Sequence, residues 1–179
     1  MTAPERYFED YTPGAVFTSG AIAVSEAEII DFARRYDPQP MHTDPHAAAA
    51  GRFGGLIASG WHTAALMMQL FVTHFLSPAS SVASPGIDEL RWLQPVRPGD
   101  TISLRVSVIE ARRSRSRPNE GVVRSFIEVL NQDGAVVMSL KPISLIACPA
   151  RNSGRPRRSP ANSLVRQPPV AHEVAATER

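Results

Sequence analysis

The stretch from Gly60 to Leu76 limits what this chain can fold into more than any other. Ala64, Ala65, Leu66, Met67, Met68, Leu70, Phe71, Val72 and Phe75 leave it almost no polar face. A helix that is apolar nearly all round has to be covered, since each large apolar side chain gains about 1.5–3 kcal/mol on burial. Ser59 stands just ahead as an N-cap, and Pro78 ends the run. The rest of the chain must supply the cover.

Beyond Pro85 the chain reads mostly as strand. Residues 86–97 form one run, closed by the turn Arg97-Pro98-Gly99-Asp100. Ile102, Leu104, Val106 and Val108 then alternate with Thr101, Ser103, Arg105 and Ser107, the period of a half-buried strand. The polar tip RRSRSRPNEG leads into VVRSFIEVLN, and Asn131-Gln132-Asp133-Gly134 turns the chain into AVVMSLKPISLIAC. Pro142 has no N–H for a ladder, which predicts an edge position or a bulge in the last strand. Upstream, Val16 to Val24 reads as a first strand. Ser25-Glu26-Ala27-Glu28 is a capping box that opens a helix with Ile29, Phe32, Ala33 and Tyr36 on one face. Pro38 stops that helix near Asp37. Strand, helix, buried helix and meander together predict an α+β hot-dog fold, an antiparallel sheet wrapped around a long central helix. A single curled sheet leaves strand edges open, so a homodimer joined through them is expected.

The 179 residues suffice for one domain with its own core. We place that domain at residues 1–150. The tail 151–179 is rich in Pro, Arg, Ser and Ala, and disorder is expected there. The chain's net charge of +2 comes from this tail, whose six arginines face only two glutamates, so residues 1–150 are slightly acidic. Nucleic-acid binding wants basic residues gathered on a folded face, and none is expected here. Cys148 is the only cysteine, which excludes an intrachain disulfide and suits a reducing compartment. No run approaches the roughly 20 apolar residues of a membrane span, and the N-terminal residues do not read as a secretory signal. The expectation is a soluble, cytoplasmic protein with no membrane partner.

The sharpest chemical feature is Tyr36-Asp37-Pro38-Gln39-Pro40-Met41-His42-Thr43-Asp44-Pro45. It places a carboxylate and an imidazole five residues apart on a loop stiffened by three prolines. Acid–base catalysis needs groups held in place before substrate arrives, and histidine exchanges protons near neutral pH. Read alone, the loop fits a proline-bounded turn with a solvated histidine more often than a catalytic pair.

The stretch resembles the Gly-Asp-x-Asn-Pro-Leu-His-x-Asp-Pro signature of the MaoC-like (R)-specific enoyl-CoA hydratases. Asp37, Pro40, His42, Asp44 and Pro45 fall on matching positions, while Tyr36, Gln39 and Met41 replace Gly, Asn and Leu. The likeness runs from about Phe8 to Ala147. It implies that Asp37 and His42 activate water for syn addition across a trans-2-enoyl thioester, giving an (R)-3-hydroxyacyl-CoA. Gly60, eighteen residues beyond His42, matches the glycine at the start of the family's central helix. A helix start offers unpaired N–H groups to a developing enolate oxygen, and glycine admits the substrate carbonyl closely. Close helix–sheet contact is the competing reason for a glycine there. Met41, Ser59 and Trp61 are expected to border the acyl-CoA substrate. The resemblance implies no metal or redox cofactor, because the thioester itself makes the β-carbon electrophilic.

Other signals are weaker. His42, Asp44 and His46 suggest a metal site only faintly, as Pro45 interrupts any helix that would align the histidines. Gly55 and Gly60 have P-loop spacing, but Trp61-His62 follows where Lys-Ser/Thr is required. His62 and His74 read as core histidines. Arg112, Arg113, Arg115 and Arg117 read as a solvated hairpin tip, with contact to coenzyme A phosphates as the functional alternative. An acyl-CoA thioesterase of the same fold, and a non-catalytic acyl-CoA-binding or assembly subunit, remain as alternatives to hydration.

Overall fold

The computed structural model describes residues 5–149. The expected disorder of 151–179 therefore lies outside the described residues. Elements run in the order β1 (Val16–Thr18), β2 (Ile22–Ala23), α1 (Glu26–Tyr36), α2 (Pro40–Thr43), α3 (Pro45–Ala50), α4 (Gly60–His74), β3 (Ser81–Trp92), β4 (Thr101–Arg113), β5 (Glu120–Leu130) and β6 (Val136–Ala147). The antiparallel sheet runs β1-β4-β5-β6-β3, with β2 also paired to β4. It curls round α4 in the hot-dog arrangement, and the fold is α+β.

Period-two alternation sets the sheet's inner face. Ile102, Leu104, Val106 and Val108 of β4 are all buried, as are Val123, Ile127 and Val129 of β5 and Leu140 and Ile146 of β6. α4 answers with Leu66, Met67, Leu70 and Phe71, spaced one helical turn apart. The single 3-10 turn Phe8–Asp10 packs on β5. The Phe8 ring occupies the space where a Cβ on residue 121 would sit, so Gly121 is what lets it lie on β5.

Several expectations shift. The first strand is two short pieces, β1 and β2, both on β4. β3 begins at Ser81, five residues before the expected run. Pro142 lies in β6, between β5 and β3, so the last strand is not an edge, and its register is unbroken at Pro142, where it faces Ile87. Nor is α4 covered all round: Trp61, Met68 and Val72 are exposed on one stripe. Tyr36 is also exposed, because α1 buries only the Ile29–Ala33 side.

Candidate active site

The proline-bounded segment is not one open loop. α1 ends at Asp37, whose backbone leaves the helical region (φ −154°, ψ 68°), as Pro38 disfavours helical geometry in the residue before it. Pro40 then starts the single turn α2, a place where its missing N–H is harmless. Asp44 caps α3, its Oδ1 accepting from the amides of His46 and Ala47. That carboxylate serves the backbone. His42 sits at the end of the α2 turn and points inward, only 4% exposed.

The five-residue spacing brings His42 Nε2 to 3.5 Å from Asp37 Oδ2. Each group is fixed from its other side. His42 Nδ1 lies 2.8 Å from the Ile57 carbonyl oxygen. A carbonyl can only accept, so Nδ1 carries a hydrogen, and in the neutral ring Nε2 holds the lone pair. Asp37 Oδ2 accepts from the Ser59 hydroxyl at 2.6 Å, and Oδ1 accepts from the Gln39 amide at 2.7 Å. These bonds, the Ser59 hydroxyl first, hold the Asp37 carboxyl below its ordinary pKa; partial burial opposes them and His42 adds to them. Gln39, where the signature has Asn, thus keeps an amide on the carboxylate.

Ser59 links the pair to α4. Its side chain accepts from the Trp61 amide as N-cap while donating to Asp37. It is fully buried and does not line the cavity, so its contact is with the carboxylate. Gly60 comes next as the first helical residue. Its N–H meets no acceptor among the described residues, and the residue faces a cavity of about 450 Å³ that also holds Asp37 and His42. Met41 and Trp61 line the same cavity. So do Phe53, Thr63 and the Trp92–Val96 segment, which the sequence did not single out. Trp92 in particular lies against Gly60: its Nε1–H donates to the Gly60 carbonyl at 2.8 Å. A Cβ on residue 60 would fall 2.5 Å from Trp92 Cε2. Close contact with this ring and an open N–H therefore coexist at Gly60.

The arginine hairpin is remote from this site. Arg113 pairs with Gly121 and Gly121 with Ile146, which faces Ser81 at the start of β3. The cavity lies at Trp92, the other end of that strand and roughly 35 Å away at about 3.3 Å per residue. Arg112, Arg113 and Arg117 are paired with Glu110, Glu9 and Glu120. The tip is a solvated hairpin end. Among the described residues no three His, Cys, Asp or Glu side chains gather as metal ligands.

The half-buried Asp37 carboxylate and the buried His42 imidazole thus stand together beside an open helix N-terminus. The sequence profile of the MaoC like domain matches residues 10–129. The chain belongs to the MaoC-like family. It is 37% identical to a MaoC-like dehydratase of Rhodospirillum rubrum, whose crystal structure superposes with a TM-score of 0.76 over 82% of this chain and 99% of that one. The (R)-hydratase PhaJ1 of Pseudomonas aeruginosa is similar at 25% identity and a TM-score of 0.64, over 80% and 86% of the two chains. Among curated sequences, a 3-hydroxybutyryl-CoA dehydratase of Methylorubrum extorquens is 29% identical over 75% of this chain and 83% of its own length. A hydratase or dehydratase class of enzyme is supported in general.

Proposed function

We propose that this protein reversibly hydrates trans-2-enoyl-CoA to (R)-3-hydroxyacyl-CoA. The observation that carries the reading is the convergence of Asp37, His42 and the open Gly60 N–H on one cavity. The similarity to an (R)-hydratase and to a 3-hydroxybutyryl-CoA dehydratase supports the reaction class and the substrate.

In this reading the thioester oxygen accepts from the Gly60 N–H, at the positive end of α4. Water sits between Asp37 Oδ2 and His42 Nε2. As its oxygen bonds the β-carbon, its proton passes to Nε2, and the carbon–carbon π pair moves to the thioester as an enolate. Asp37, held ionised by Ser59 and Gln39, stabilises the imidazolium so formed. That proton then returns from Nε2 to the α-carbon on the same face. One water is added, with one proton shuttled and none lost. No cofactor takes part in these steps. Met41 and Trp61 border the acyl group, and the partner in the assembly is a second copy of the chain.

Incubation with crotonyl-CoA tests the proposal. Loss of enoyl absorbance with (R)-3-hydroxybutyryl-CoA as product, and no free thiol, is expected. Stoichiometric thiol release would make it a thioesterase, and binding without turnover a non-catalytic subunit.

A further inference from the structure

We propose that Trp92 limits acyl length at this site, admitting short enoyl chains and turning away long ones. The inference rests on the hydratase reading above and narrows its substrates to short-chain thioesters. Trp92 closes the edge strand β3, yet its indole reaches across to the first turn of α4. There its Nε1–H donates to the Gly60 carbonyl, and the ring lies so near that a Cβ on residue 60 would come within 2.6 Å of Nε1. Trp61 meets it edge-on, with ring centroids 5.3 Å apart. Both rings line the cavity that holds Asp37 and His42.

The surface behind the rings gives the direction. On α4 the cavity takes in only Gly60, Trp61 and Thr63. Ala65, Met68 and Val72 continue the face of Trp61 turn by turn, exposed and apolar, but outside the cavity. The indole pair stands where cavity and stripe meet. In this proposal the acyl arm is the one that leaves the Gly60 N–H toward the indole pair, where it reaches Trp92 within a few methylenes. The Trp92 ring is 46% exposed and is held by one hydrogen bond and one ring contact. Removing it takes away a wall and leaves the core filled.

Crotonyl-CoA, hexenoyl-CoA and decenoyl-CoA turnover by the wild type, Trp92→Ala and Trp92→Phe tests the proposal, with circular dichroism on each sample. The wild type should prefer crotonyl-CoA over decenoyl-CoA in kcat/KM by about tenfold or more, the discrimination a few misplaced methylenes give. Trp92→Ala should raise the decenoyl-to-crotonyl ratio by about tenfold or more. Trp92→Phe, which keeps a ring but loses the Nε1 donor, should fall between. Binding of butyryl-CoA and decanoyl-CoA, measured by calorimetry, should show the same order. If the wild type hydrates none of the three, the hydratase reading falls and the binding series alone decides the wall. A wild type that prefers the decenoyl chain, a folded Trp92→Ala protein with an unchanged ratio in both assays, or no acyl-CoA binding at all would overturn it.

Discussion

At the scale of single residues, the site is a carboxylate held in one state and an imidazole held in one orientation. Ser59 is the residue that does most for Asp37: its hydroxyl is the first cause of the lowered carboxyl pKa. Ser59→Ala should let that carboxyl protonate at higher pH. The acid limb of the kcat/KM profile should therefore move up in pH, while turnover at neutral pH, where the carboxyl is ionised in both proteins, should fall far less than in Asp37→Asn. A limb that stays in place would mean Ser59 does not act through Asp37. Asp37 and His42 were legible in the sequence because their meeting is local, five residues of proline-bounded chain. Ser59 reaches Asp37 from 22 residues away and Trp92 reaches Gly60 from 32, and no local spacing announces either contact.

At the scale of elements, periodicity and capping placed α1, α4, β4, β5 and β6, because each has a local signature. The breaks were harder to see. β1 and β2 interrupt one apolar run, and the early start of β3 runs through Ser-, Pro- and Gly-containing chain that reads as loop until pairing with β6 settles it. The junction of α1 and α4 holds a further test. His62 is buried there, stacked on Phe32 at 4.8 Å, with no hydrogen-bond partner for Nδ1 among the described residues. Burial pushes its pKa below 6.5, partly opposed by Glu28. The unfolded chain thus binds this proton more readily than the folded one. Stability is full above about pH 6.5 and is lost as pH falls from there through the lowered value. Thermal melts across pH 5–7 should show that decline in the wild type and a smaller one in His62→Phe. Equal slopes would place the pH response elsewhere.

At the scale of the whole molecule, the hot-dog topology follows from the order of strand, helix, apolar helix and strand meander, in which the apolar helix needs a sheet around it. The structure refines this: α4 is covered on one side by its own sheet and leaves Trp61, Met68 and Val72 open on the other. β3, the long edge of the sheet, exposes Val82, Ile87 and Trp92 beside Leu93. Sequence alone cannot tell a helix face buried within its own chain from one left for a second copy, since both are apolar. In the proposed homodimer the Val82 and Ile87 stretch of β3, outside the cavity, is the seam, and a charge there should part the copies. Light scattering should find a dimer for the wild type and a folded monomer for Ile87→Lys. A monomeric wild type, or a variant that stays dimeric, would contradict that arrangement.

The central claim is that Asp37 and His42 together move one proton between water and an enoyl thioester. It is tested most directly by crotonyl-CoA turnover in Asp37→Asn and His42→Ala, with circular dichroism and melting temperature on the same samples. Each variant should remain folded and lose about a hundredfold or more in kcat, the usual scale for a positioned acid or base. A folded variant of either kind that hydrates crotonyl-CoA at the wild-type rate would contradict the account.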